Sequence, residues 1–231
     1  MYIYREKRKV PQEGLSAQHL FWLLQEAAGA HSGQLGFGES DMRGLGIMWV
    51  VIRYLVKAER WPSAGEELTV ETWPGQVRHG MCPRFYRILD ADGALILTAS
   101  CLWAVVDRET RQMVSPLERG VAIEALVTGD EAPLPGTIRR PVTDREMLFT
   151  VPEAYVDSNG HMNNTCYFDL AEQCTGFHAD RRGLREVTAE YLNEALCGDQ
   201  IRVLWGVEGS CCTVVGEKDS GHVFRMRLLY Q

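Results

Sequence analysis

The run Val156-Asp157-Ser158-Asn159-Gly160-His161-Met162-Asn163-Asn164-Thr165-Cys166-Tyr167 gathers a carboxylate, an imidazole and three carboxamides into eight positions. The residues that follow are apolar at helical spacing. Asn163 or Asn164 is a good N-cap, because its side-chain oxygen accepts an orphan amide of a first turn. Glu172 falls early in the expected helix, where the macrodipole favours an acid. Asp157, Asn159 and His161 are therefore expected at a strand-to-helix turn with backbone N–H groups pointing outward. Such a site suits polarising a carbonyl oxygen beside a general base. Asn, Asp and Gly also build turns by themselves. The addition of His161 and the Asn pair turns the reading toward chemistry.

Around this stretch the chain repeats itself. Gly65-Glu66-Glu67-Leu68-Thr69-Val70-Glu71-Thr72-Trp73 parallels Gly198-Asp199-Gln200-Ile201-Arg202-Val203-Leu204-Trp205, each a Gly-acid turn feeding an alternating strand. Asp90-Ala91-Asp92-Gly93 parallels Lys218-Asp219-Ser220-Gly221 at nearly the same offset, each a hairpin turn. The first half reads as a strand over 2–10, a helix over 16–31 with Leu20, Leu23, Leu24, Ala27 and Ala28 at helical intervals, then strands near 47–59, 66–73, 77–89 and 94–106. The second reads as a strand near 146–156, a helix near 164–181 ended by Gly183, then strands near 184–195, 200–208, 211–216 and 223–230. Pro116, Pro133, Pro135 and Pro141 mark a linker, with a helix-prone patch around 118–126. The expected units are 1–115, a linker 116–141, and 142–231.

A helix followed by antiparallel strands is an α+β layering, in which each helix buries its apolar face on its own sheet. Pairing the two sheets edge to edge would hide their edge strands. The halves differ where chemistry is concerned. The first-half turn Pro11-Gln12-Glu13-Gly14-Leu15-Ser16 has no His or Asn, and the Gly-rich stretch from Leu35 to Gly46 has no second-half counterpart. Chemistry is expected in the second half, substrate binding in the first.

Bulk properties set bounds. The chain has 231 residues, 45% of them hydrophobic, and a net charge of −7. No apolar run approaches a membrane span or a signal peptide. The negative charge argues against nucleic acid as a partner. The seven cysteines lack metal-ligand spacing, and Cys211-Cys212 point to opposite faces of a strand. Reduced thiols, a cytoplasmic location and no structural metal are expected. His19, His31, His79, His178 and His222 show no partner spacing.

The Asp157 stretch resembles the D-x-N-x-H-x-N-N-x-x-Y signature of acyl-acyl carrier protein thioesterases, and the looser D-x-x-G-H-x-N-N of hot-dog thioesterases. Thr188-Ala189-Glu190-Tyr191-Leu192-Asn193-Glu194-Ala195 is similar to that family's second motif, L-x-x-E-Y-x-x-E-C. Trp61-Pro62, Glu71-Thr72-Trp73-Pro74, Arg84-Phe85-Tyr86-Arg87 and Ala99-Ser100-Cys101-Leu102-Trp103 resemble its first-domain strands. The resemblance implies a double hot dog: two long helices, each wrapped by an antiparallel sheet, with the sheets joined into one. It implies hydrolysis of a fatty acyl thioester on acyl carrier protein, with no cofactor.

Catalytic roles fall on Asp157, Asn159, His161 and Glu194, and substrate binding on Met162, Asn163 and Asn164. The thioester carbonyl would accept from N–H groups near His161 and Met162, from the Asn159 side chain, or from both. Either Asp157 or Glu194 would activate water or attack directly. Glu190 and Glu194 should share a strand face with Leu192. Ala195 stands where many relatives carry Cys, which excludes a nucleophile there; Cys166 and Cys197 read as small core residues. Trp22, Trp49 and Trp103 are candidates for an acyl tunnel. An acidic carrier protein would dock on a basic patch, for which Arg139-Arg140 and Arg181-Arg182 with Arg185 are candidates. Three rivals share the fold: an acyl-CoA thioesterase, an enoyl hydratase with D-x-N-P-x-H, and a non-catalytic acyl-binding regulator. The tandem unit mimics a hot-dog dimer, and many such units pair again, so a homodimer is among the expected partners.

Overall fold

Ser16 starts the first helix. Its backbone is extended, and its hydroxyl accepts the His19 N–H at 3.0 Å, so the chain turns into α1 (Ala17–Gln34). The computed structural model describes residues 3–123, 131–139, 142–157, 159–176 and 183–231. In the first half, β1 (Tyr4–Lys9) precedes α1; α2 (Glu39–Gly44) and the strands β2 (Ile47–Ala58), β3 (Glu67–Pro74), β4 (Met81–Leu89), β5 (Leu95–Asp107) and β6 (Met113–Val114) follow it. In the second, β7 (Arg145–Thr150) precedes α3 (Cys166–Thr175), and β8 (Leu184–Tyr191), β9 (Gln200–Glu208), β10 (Cys211–Lys218) and β11 (Gly221–Tyr230) follow.

The strands form one antiparallel sheet in the order β1-β3-β4-β5-β2-β8-β11-β10-β9-β7, with β6 added on β5. Read from either edge to the middle, each half runs first, third, fourth, fifth, second strand. The duplication seen in the sequence is thus a duplication of topology. The halves join at β2 and β8, where Tyr54 faces Ala189 and Val56 faces Val187. This closure hides two edges that would otherwise present unpaired N–H and C=O groups. The arrangement is the double hot-dog fold.

One apolar core runs under both helices. Phe21 of α1 stacks on Phe168 of α3, with ring centroids 3.5 Å apart, and both are fully buried; each contributes about 2 kcal/mol by burial alone. Glu172 ties the helices further. It lies late in α3, not early, and its Oε1 accepts the Ala17 N–H at 3.1 Å, capping the other helix.

Several expected boundaries move. The first N-terminal strand position, Tyr2, lies outside the described residues. β7 stops at Thr150, because Pro152 has no amide to donate and a 3-10 turn over Glu153–Tyr155 follows. The second helix begins after Thr165, not at Asn163 or Asn164, and Gly176 in the left-handed region (φ 67°) ends it well before Gly183. Residues 177–182, including His178 and the Arg181-Arg182 pair, lie outside the described residues. So do Arg140, Pro141 and the last three residues, 124–126, of the helix-prone patch; its described part begins in a 3-10 turn over Leu117–Arg119. The described linker residues pack on the sheet's outer face: Ser100 Oγ donates to Pro133 O at 2.6 Å, and Ile138 N to Glu190 Oε2 at 2.9 Å. No helix among the described residues is long and apolar enough to cross a membrane. All seven cysteines are free.

Candidate active site

The Asp157 stretch forms the tip of a small hairpin. Asp157 Oδ1 accepts the Asn159 N–H at 2.8 Å, Asp157 N donates to His161 O at 2.9 Å, and Gly160 N donates to Asp157 O at 3.0 Å. Gly160 sits at φ 84°, a conformation open to glycine at little cost, which lets the chain reverse there. Val156 and Met162 pair across the hairpin, and His161 bridges to Leu196. The last pairing brings the second motif alongside the first.

The two motifs meet at the side chains. His161 Nε2 lies 3.0 Å from Glu194 Oε2, with the imidazole largely buried and the carboxylate half exposed. Glu194 does not share a face with Glu190. β8 ends at Tyr191, and Leu192 N and Asn193 N both donate to Val223 O, which breaks the alternation. Glu190 instead lies buried on the outer face, 2.9 Å from Arg53 and beneath Ile138. Glu194 sits in the following loop, which Lys218 pins by donating to Glu194 O at 2.8 Å and Asp199 Oδ2 at 2.7 Å. The Leu196 amide, then Lys218, hold the Asp199 carboxyl below its usual range.

Asp157, Asn159, His161, Met162, Asn164 and Glu194 line one cavity. The expected residues do not all serve it alike. Met162 is buried and its amide donates to Ala195 O at 2.8 Å, so that N–H is committed to the loop that follows β8 and cannot be the expected oxyanion donor. Asn163 is structural: its Oδ1 accepts both the amide and the hydroxyl of Thr165 at 2.9 Å. The Asn159 side chain makes no hydrogen bond among the described residues and reaches the cavity. Cys166 is buried and accepts from Gln18 at 3.3 Å, and burial pushes its thiol up, so it is no nucleophile. Cys197 is exposed, not in the core.

The first half takes part as well. Met48 to Ile52 of β2 form the opposite wall of the cavity. Arg111 Nη1 donates to Glu194 Oε1 at 3.3 Å. Its backbone is left-handed, at φ 58°, in a turn where Arg111 N donates to Asp107 O at 3.0 Å. Nothing in a Thr-Arg-Gln triplet announces this role; only the fold brings it across. The first half therefore contributes both a wall of this cavity and a side chain that contacts Glu194. Met48, Trp49 and Asn159 also border a second, more apolar cavity beneath α1, which Trp103, Met42 and Ile47 complete. Trp22 is 43% exposed and takes no part. Of the expected basic patch, Arg185 is engaged with Glu59 O and Gln231 Oε1. No group of three His, Cys, Asp or Glu among the described residues is arranged to hold a metal.

Two half-sheets joined into one, with a His–carboxylate pair at the head of the second helix, define a tandem hot-dog protein of the thioesterase type. The family descriptions "Acyl-ACP thioesterase N-terminal domain" and "Acyl-ACP thioesterase C-terminal domain" match residues 11–122 and 140–225. The chain belongs to the acyl-ACP thioesterase family. It is 25% identical over 225 residues to a chloroplastic palmitoyl-acyl carrier protein thioesterase of Arabidopsis thaliana, covering 88% of this chain and 54% of that one. The chain spans about half the length of the first curated plant relatives it matches. An acyl-ACP thioesterase structure from Bacteroides thetaiotaomicron superposes with a TM-score of 0.89 at 21% identity, covering 100% of this chain and 98% of that one. A 12:0-ACP thioesterase from Umbellularia californica gives 0.84 at 22% identity, covering 100% and 98%.

Proposed function

We propose that the chain hydrolyses fatty acyl thioesters carried on acyl carrier protein and releases the free fatty acid. The observation that carries this reading is the 3.0 Å contact between His161 and Glu194 in a cavity that also holds Asp157 and Asn159. The apolar cavity that shares Met48, Trp49 and Asn159 with it supplies room for the chain. The expected division of labour follows: residues 1–115 bind the chain, and 142–231 bear most of the reacting groups.

The roles divide by which oxygens are already engaged. Both Glu194 oxygens are held, one by His161 and one by Arg111. Glu194 thus orients the imidazole. Asp157 has one oxygen on the Asn159 amide and the other without a bond among the described residues, which makes it the base. Water attacks the thioester carbonyl carbon as its proton passes to Asp157. The Asn159 side-chain N–H stabilises the oxyanion. The C–S bond then breaks as the carbonyl reforms, and the thiolate leaves as a good leaving group; the proton held by Asp157 passes to it, directly or through His161, which restores both groups. The proposed carrier is acyl carrier protein, which the names of the relatives carry, and the proposed location is the cytoplasm, unlike the chloroplastic plant relatives. Side-by-side hydrolysis of acyl carrier protein and CoA thioesters of one chain length tests the assignment. Faster turnover of the carrier protein substrate is expected. Turnover of the CoA thioester alone would move the chain to the acyl-CoA class, and no release from either would end the hydrolase reading.

A further inference from the structure

Arg84, on β4, is only 6% exposed and lines the apolar cavity beneath α1 together with Ala28, Met42, Ile47, Trp49 and Trp103. Its side-chain partners among the described residues are all neutral. Nη1 lies 3.1 Å from His31 Nδ1 and 3.3 Å from Thr72 Oγ1, and Nη2 donates to Ser32 Oγ at 2.9 Å. Burial, and then Arg84 itself, hold the His31 imidazole down to about 4, so near neutral pH its Nδ1 is a lone-pair acceptor. Among the described residues no carboxylate lies within ion-pair distance of Arg84. Glu39, on the same cavity, is taken by Arg43 at 2.7 Å. A guanidinium has five N–H donors, and these contacts use part of that set. A plain hydrocarbon laid against this group would strip its remaining water and return nothing, which is costly for a buried charge.

We propose that this cavity selects an acyl chain bearing a carboxylate at the end remote from the thioester, and that Arg84 binds that carboxylate. The planar fork of an arginine donates two parallel hydrogen bonds to a carboxylate side-on, and His31, Thr72 and Ser32 hold the fork in place. Arg108 lines the same cavity and adds a second positive charge. The inference rests on the thioester reading and narrows its substrate class: the half-thioester of a dicarboxylic acid, with Met48, Trp49 and Asn159 bordering both the reacting end and the chain.

The test compares steady-state kcat/KM for acyl carrier protein thioesters matched in chain length and ending in methyl, hydroxyl or carboxylate. The full chain is used, first as wild type, then as Arg84→Lys and Arg84→Met. Wild type is expected to favour the carboxylate-ended chain at least about tenfold, a factor worth about 1.4 kcal/mol. Arg84→Met should reverse the order, and Arg84→Lys should keep part of it. The wild-type comparison stands alone if a variant does not fold. Equal or better turnover of the methyl-ended chain by wild type overturns the proposal and leaves the hydrolase reading intact. A preference for hydroxyl equal to that for carboxylate overturns the charge-pairing role. No turnover of any of the three sinks the hydrolase reading and this inference with it.

Discussion

Arg111 and Glu194 meet across the two halves of the duplicated fold, Nη1 to Oε1 at 3.3 Å. The other oxygen of Glu194 serves His161. The carboxylate lies in a loop and is half exposed, so without a second contact its rotamers would spread. Arg111 supplies that contact from a left-handed backbone that a non-glycine residue adopts at a cost of about 1–2 kcal/mol. Arg111→Ala should lower kcat about ten- to a hundredfold with little change in KM, because misplacing an orienting group acts on the chemical step. Arg111→Lys should recover part of it. Unchanged kcat in Arg111→Ala would reduce the contact to an ordinary surface ion pair, worth less than about 1 kcal/mol.

Asp157→Asn is the sharpest single test of the proposed base. Asn retains an oxygen for the Asn159 amide, so the turn should keep its shape. Turnover should fall by about 10²–10⁴ while thermal stability holds. Near wild-type turnover would hand the role to Glu194.

Glu172 makes a prediction about stability. Its replacement by Ala leaves the Ala17 amide buried without an acceptor, which costs about 1–3 kcal/mol. Denaturant titration should show that loss, and Glu172→Gln, which keeps an acceptor oxygen, should lose less. Equal stability of Glu172→Ala and wild type would remove the cap from the account.

His31 sets a pH dependence. Its imidazole titrates at about 4 when folded against 6.5 ordinarily, so between those values the unfolded chain binds more protons than the folded one. Stability from this group is therefore complete above pH 6.5, falls as the pH drops toward 4, and changes no further below that. The whole effect is of order 3 kcal/mol. His31→Gln should flatten the slope of unfolding free energy over that range relative to wild type. An unaltered slope would mean that His31 is protonated in place.

Much of this was legible in the residues. The repeat of turn, strand and hairpin predicts the duplicated order of strands, and D-x-N-G-H with Glu194 predicts the imidazole–carboxylate contact. What escaped has a common cause. Hydrogen bonds that cross the fold leave no local periodicity: Met162's amide goes to Ala195, Glu172 caps a helix more than a hundred residues away, and Arg111 arrives from the other half. The end of β8 escaped for a related reason. Leu192 continues the polar–apolar rhythm, but both it and Asn193 donate to one carbonyl, and alternation stops there.

The coupling of His161 with Glu194 is the measurement that bears most directly on the whole account. His161→Ala, Glu194→Gln and the double variant should be compared by kcat/KM on one acyl carrier protein thioester. If the pair acts as a unit, each single change lowers kcat/KM by about 10²–10⁴, and the double variant is little worse than the poorer single. Wild-type turnover in both singles, or losses that multiply in full, would contradict a catalytic pair at this contact.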